Sequence, residues 1–194
     1  MRLALFGAGG HAREVAVQIN HPITFFVDDE YCGGDIQPLS SFDPEKYKLM
    51  IAVGDCIERK RIAERLPKET KYFTFIHPTA LIMDKNIEIG EGSFIGAYSI
   101  LTTKIKLGKH VILNRSNHVS HDCVLGDYVS LMPNALLSGN VEIGDCCWIS
   151  TNASIREKIK ITNNVTIGMG AAVVKNIDER GTYVGVPAKK IKSD

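Results

Sequence analysis

The sequence predicts a small parallel α/β unit over residues 1–76, followed by a left-handed parallel β-helix over residues 77–194. Three observations carry this. Apolar residues recur every six positions through the second segment. Strand-like and helix-like runs alternate through the first. A glycine-rich turn, Gly7-Ala8-Gly9-Gly10, follows the first strand-like run.

The six-residue period is the strongest of these signals. From Ile89 to Val173 in steps of six, all fifteen positions are Ile, Leu or Val, and Met83 extends the series backward as a weaker member. A helix repeats at 3.6 residues and a strand at 2, so neither gives this period. A coil of three flat faces does, with one hexad per face and eighteen residues per turn. Fifteen hexads make five turns, a prism roughly 24 Å tall at the interstrand spacing of parallel sheets. Two residues before each core position the side chains are mostly small or β-branched (Ser93, Ser99, Val111, Ala135, Ala153), as a crowded interior requires. Glycine often follows the core position (Gly90, Gly96, Gly108, Gly126, Gly144, Gly168), which suits tight bends. The unbroken register leaves no room for a long inserted loop between Ile89 and Val173.

In the first segment, RLALF reads as a buried strand and AREVAVQIN as a helix. ITFFVDD is a second strand, KLMIAVGD a third, IERKRIAERL a charged helix and KYFTFI a last strand. This alternation gives a parallel sheet, half of a doubly wound Rossmann-like fold. Gly7, Gly9 and Ala12 approximate the G-x-G-x-x-G/A turn, whose backbone approaches phosphates at a helix N-terminus. Asp28 and Asp29 lie about twenty residues on, where an acidic residue meets ribose or base. Half a sheet suits a mononucleotide or nucleotide sugar rather than NAD. A turn that only packs helix on strand is the plainer alternative.

Composition excludes several classes. There are 23 basic and 22 acidic residues with no basic cluster, which argues against nucleic acid. No apolar run approaches the ~20 residues of a membrane span. MRLALFGAGG reads as a strand, not a signal peptide. Five cysteines without metal-ligand spacing read as reduced thiols in a cytoplasmic protein.

The histidines point to chemistry. His118 and His121 flank the core position Val119, so both leave the interior, and Asp122 follows His121 directly. A histidine beside a carboxylate is a natural general base, because the carboxylate fixes the tautomer and stabilises the imidazolium. A solvated surface histidine is the plain alternative. Zinc would need convergent histidines, and His110, His118 and His121 are not spaced by a turn, so no metal is expected.

These motifs together resemble the sugar acetyltransferases that include sialic acid O-acetyltransferases and nucleotide-4-amino-sugar N-acetyltransferases, within the hexapeptide-repeat transferases. The carrying segments are GAGGHAREV at 7–15, FVDD at 26–29, IHPTA at 76–80, HDCVLGDYVSLMPNA at 121–135 and VGVPAKKI at 184–191. The resemblance implies an acetyl-CoA-dependent N-acetyltransferase acting on a nucleotide-linked 4-amino-4,6-dideoxy sugar in glycan biosynthesis. It assigns His121 as the base, Asp122 as its acidic partner and Gly139 as the oxyanion donor. It assigns the nucleotide sugar to Gly7, Gly9, Gly10, His11, Asp28, Asp29 and Gly54. It assigns acetyl-CoA to Ser138, Gly139, Gly168, Gly185 and Lys189. It further implies a homotrimer with the site between adjacent β-helices, with outward residues such as Tyr98, Met132 and Trp148 partly buried there. Many relatives carry a histidine nine residues after the base, where this chain has Ser130. The competing expectations are an O-acetyltransferase acting on sialic acid or another sugar hydroxyl, a non-catalytic trimeric nucleotide-binding scaffold, and a zinc hydratase.

Overall fold

The computed structural model describes residues 1–191, so the last three positions of the expected 77–194 segment lie outside the described residues. The first unit is an all-parallel sheet of β1 (Arg2–Phe6), β2 (Ile23–Val27), β3 (Gln37–Pro38), β4 (Tyr47–Ile51) and β5 (Lys71–Tyr72). Its order is β3-β2-β1-β4-β5. Helices α1 (Gly10–Gln18) and α2 (Cys56–Arg65) complete it. Strand alternation sends Ala4, Phe6, Leu49 and Ile51 to one face, where they meet Phe26, Ile62 and Leu66. Leu5 and Met50 point the other way, onto Ala12 and Val15 of α1 and onto Phe94 and Ile112 of the second unit.

Two boundaries differ from the sequence reading. Helix α2 begins at Cys56 because the Asp55 carboxylate accepts the Glu58 N–H at 2.8 Å, an N-cap. The expected strand KYFTFI divides in two. Lys71–Tyr72 pairs with β4, whereas Phe75–Ile76 pairs with Phe94–Ile95 of the coil. The chain changes sheets between them, a tertiary event that a run of β-formers does not encode.

The second unit is a parallel β-helix with three faces. Two-residue strands pair with their equivalents one turn on, as in the row Ile100, His118, Leu136, Ser154 and Ala172. Successive members are eighteen residues apart, as the period required. Ile95, Leu101, Leu113, Leu131, Ile149 and Ile167 are all fully buried at the centre. The positions two residues earlier, including Ser99, Asn117, Cys123 and Ala153, are also fully buried. Met83 is not a core residue. It is 62% exposed, and Ile82 pairs with core Leu101, so the first turn is out of the six-residue step by one position.

The corners also correct the expectation about glycine. The left-handed conformation falls three residues before each core position, at Tyr98, Lys104, His110, Ser116 and on to Asn164, with φ between 52° and 62°. Asn and Asp tolerate this region best, and Asp122, Asn134, Asn140, Asn152 and Asn164 use it. The glycine after the core position serves close approach instead. A Cβ on Gly108 would lie 2.6 Å from the carbonyl carbon of Gly126 one turn below. Beside these glycines a side-chain ladder runs down the corner. Asp127 accepts from Lys109 N–H, Asp145 from Asp127 N–H and Asn163 from Asp145 N–H, at 2.7–2.8 Å.

The three faces have different surroundings. On the first, Phe94, Ile112 and Ser130 are buried beneath the α/β unit. The second presents Leu81, Ile100, His118 and Leu136 outward. The third carries the exposed pairs Glu88–Lys106 and Glu142–Lys160, each at 2.9 Å. The tail closes the bottom of the coil. Gly181–Val184 adds parallel to the first face, Lys189–Lys190 folds back antiparallel, and Tyr183 and Ala188 pack on the core.

Candidate active site

His121 and Asp122 occupy the corner between the second and third faces. The left-handed backbone of Asp122 (φ 59°) turns its carboxylate back toward its neighbour. His121 Nδ1 lies 2.8 Å from Asp122 Oδ2. With Nδ1–H donating to the carboxylate, Nε2 keeps its lone pair. The imidazole is 56% exposed. Gly139 sits one turn below and is buried, and a Cβ there would collide with the His121 ring. Only glycine leaves that ring its place. Among the described residues, Gly139 N–H donates to no backbone oxygen. This corner therefore sets a carboxylate-backed imidazole beside a backbone N–H that has no backbone acceptor among the described residues.

The residues expected to hold a nucleotide sugar gather elsewhere. Gly7–His11 follows β1, Asp28 and Asp29 follow β2, and Gly54 follows β4. All lie at the carboxyl ends of parallel strands, and the sheet order reverses between β1 and β4, the place at which open α/β sheets bind ligands in a crevice. Gly7 has φ 113°, and a Cβ there would approach the Ala52 carbonyl oxygen to 3.2 Å. Nothing lies within 4 Å of a Cβ on Gly9, so the turn faces open space. The first turn of α1 starts there, with Gly9 as N-cap and no side chain capping it. The free amide groups and the helix dipole favour an anion. His11 packs edge-on against Phe94, and its buried Nε2 has no hydrogen-bond partner among the described residues. Burial, and after it the Arg59 cation, push His11 below its ordinary range, so the ring is neutral at pH 7.

The two acidic candidates are partly engaged. Asp28 is ion-paired with Arg65 at 2.6 Å, and Asp29 accepts the Ser40 N–H at 2.9 Å. Gly54 rests against Trp148, whose ring lies 3.6 Å from a Cβ built there. The Gly54 carbonyl accepts from Arg59 at 2.8 Å and from Ser130 Oγ at 3.0 Å. Ser130 is thus fully buried under the crevice. Arg13 was not singled out from the sequence, yet its guanidinium crosses the glycine turn and donates to Ala8 O at 2.9 Å. Nor does the sequence pattern single out Arg59. Its spacing from Cys56 and Ile62 on the buried stripe of α2 was the available signal.

The residues expected to hold acetyl-CoA do not converge within one chain. Ser138 and Gly139 share the His121 corner, whereas Gly168 lies on the corner between the first and second faces. Gly185 accepts the Ala172 N–H beside that second corner. Lys189 lines a pocket of about 250 Å³ with Val173, Tyr183, Pro187 and Ala188. The second face separates the two groups. The crevice and the base are also apart, since the α/β unit covers the first face and His121 stands on the corner opposite it. His118 is exposed on the second face. No cluster of three His, Cys, Asp or Glu suited to a metal occurs among the described residues. No helix among them is long and apolar enough to cross a membrane.

The family described as PglD N-terminal domain matches residues 2–66. The acetyltransferase domain of PglB from Neisseria gonorrhoeae FA1090, solved in complex with acetyl coenzyme A, is 33% identical, with 98% of each chain covered and a TM-score of 0.88. The chain belongs to the sugar acetyltransferase family of the hexapeptide-repeat transferases. WeeI from Acinetobacter baumannii AYE is another member-like structure, 29% identical over 98% of this chain and 100% of that one, with a TM-score of 0.90. A GDP-perosamine N-acetyltransferase of Escherichia coli O157:H7 is 28% identical over 93% of this chain and 81% of its own length. Within this family setting, the His121–Asp122 pair lies on the coil and the glycine crevice on the appended α/β unit.

Proposed function

We infer that this acyltransferase moves the acetyl group of acetyl-CoA to the amine of a nucleotide-linked 4-amino-4,6-dideoxy sugar. The observation that carries the reading is the exposed His121–Asp122 pair stacked over Gly139, in a chain alike over its whole length to an acetyltransferase domain solved with acetyl coenzyme A. Residues 1–76 hold the nucleotide sugar and residues 77–194 hold the thioester. His121 Nε2 accepts a proton from the amine as its nitrogen attacks the thioester carbonyl. Gly139 N–H meets the developing oxyanion. The tetrahedral intermediate then collapses, the C–S bond breaks, and the proton held by His121 passes to the leaving thiolate. Asp122 stabilises the imidazolium between these steps.

The site closes between copies of the chain. A homotrimer sets the second face of one subunit beside the next, which buries its apolar row. It also carries the crevice of one subunit, and Gly168, Gly185 and Lys189, toward the His121 corner of its neighbour. The pocket beside Lys189 suits the far end of the coenzyme. Arg13, over the glycine turn, pairs with the substrate diphosphate. Five free thiols agree with a cytoplasmic setting, and the product feeds glycan biosynthesis.

Thiol release from acetyl-CoA tests this, with a panel of UDP-, dTDP-, GDP- and CDP-linked 4-amino sugars and free sialic acid. Release with an amino sugar, together with mass gain at its amine, is expected. Release with sialic acid alone moves the assignment to a hydroxyl acceptor.

A further inference from the structure

Arg59 is the largest fully buried side chain in the protein's described core, at 0% exposure. Among the described residues no carboxylate forms an ion pair with it. Its fork is instead saturated by neutral acceptors. Nε donates to His110 O at 3.0 Å. Nη1 donates to Val53 O at 2.6 Å and Gly54 O at 2.8 Å. Nη2 donates to Tyr128 O at 2.7 Å and Ser130 Oγ at 2.8 Å, with Val129 O at 3.5 Å. Ser130 Oγ in turn donates to Gly54 O, so the loop and the coil are tied twice.

Those acceptors come from two places. Val53 and Gly54 form the loop after β4, one wall of the crevice. His110, Tyr128 and Ser130 belong to the coil. A buried cation without a counter-ion is costly, and an apolar residue of like volume would hold two surfaces together at less expense. What the planar five-donor fork supplies, and an apolar residue cannot, is direction. It fixes one loop against two successive rungs in one orientation.

We propose that Arg59, with Ser130 as its hydroxyl partner, is a positioning residue that sets the Val53–Asp55 loop against the β-helix and so aligns the nucleotide-sugar crevice. The inference rests on the reading of that crevice given above. It also gives Ser130 a task. At the position where the resemblance implies a histidine in many relatives, this chain uses a buried hydroxyl that holds the loop and does not touch substrate. The uncompensated charge beneath the Val53–Gly54 loop favours an anionic occupant, which a nucleoside diphosphate provides.

The test compares wild type with Arg59→Lys and Ser130→Ala, the latter being mild enough to fold. Lysine keeps the charge and loses the fork. Amide hydrogen exchange is read on peptides spanning 50–57, and KM is read for both substrates. Faster exchange confined to 50–57 is expected in both variants. With it, kcat/KM for the nucleotide sugar falls by about 10- to 100-fold in Arg59→Lys, mostly in KM, as displacement of a binding element by about 1 Å does. KM for acetyl-CoA stays within about twofold. Ser130→Ala gives the same pattern at smaller amplitude. Unchanged exchange at 50–57, full rescue by lysine, or equal losses for both substrates overturns the proposal. If wild type acetylates no acceptor, the proposed reaction fails on its own, and the exchange measurement still decides for or against Arg59.

Discussion

Two histidines sit at corners of the same coil and have opposite circumstances. His110 is under the α/β unit, 3% exposed, stacked on Tyr128 at 5.2 Å and edge-on to Tyr72 at 4.5 Å. Its Nδ1 has no hydrogen-bond partner among the described residues, and burial, then Arg59, lowers its pKa to about 4. His121 is on an exposed corner, its side chain 56% accessible, with a carboxylate at 2.8 Å. The coil gives both the same kind of corner. What separates a packing group from an exposed one backed by a carboxylate is what lies over that corner, and which residue stands next to it.

The largest effect that would break this comparison is on rate. His121→Ala is expected to lower kcat by about 10²- to 10⁴-fold, the range for a positioned general base, with the melting temperature unchanged. Gly139→Ala, which drives a methyl into the His121 ring, is expected to do comparable damage by steady-state kinetics. A kcat near wild type in either variant removes this corner from the chemistry.

Next in size is the core that both corners share. Leu131 is fully buried at the centre of the coil. Leu131→Ala should cost about 2–5 kcal/mol by urea unfolding, because no neighbouring rung can move in to fill the space.

A pH effect sharpens the contrast. The folded value of His110 is below its unfolded one, so the unfolded chain binds a proton between pH 6.5 and about 4 that the native state does not. Stability is whole above pH 6.5 and falls as pH drops toward 4, by on the order of 3 kcal/mol. His11 moves in the same direction, so the difference between wild type and His110→Asn isolates His110. Urea unfolding at pH 7 and pH 5 should show a smaller drop in the variant.

The smallest effect is on the third face. Lys106→Ala removes an exposed pair with Glu88 and should change stability by less than about 1 kcal/mol, less still at high salt.

Much of this was legible in the sequence, for physical reasons. Each hexad contributes one buried side chain, so the period exposes the coil, its core and its eighteen-residue turn. His121 and Asp122 stood out because they leave that register together. Other features were not legible. Met83 and Ile82 exchange roles because the first turn gains a residue where the chain enters the coil. The pairing of Gln37–Pro38 in β3 is too short to leave a pattern. Arg59 looked like one of several charges in a polar helix, and only the docking of the two units shows what its donors meet. The engagement of Asp28 by Arg65 likewise joins residues 37 apart, which no local motif reports.

The central claim is that crevice and base, on opposite sides of one chain, form a site only between copies. Subunit mixing tests it most directly. His121→Ala lacks the base, and Gly9→Trp fills the open space over the glycine turn. Each is expected to be nearly inactive alone. Unfolded and refolded together in equal amounts, they should recover about a quarter of wild-type activity, since random assembly pairs an intact corner with an intact crevice at one interface in about four. No recovery, from variants that each assemble normally, would contradict the account and return both halves of the site to a single chain.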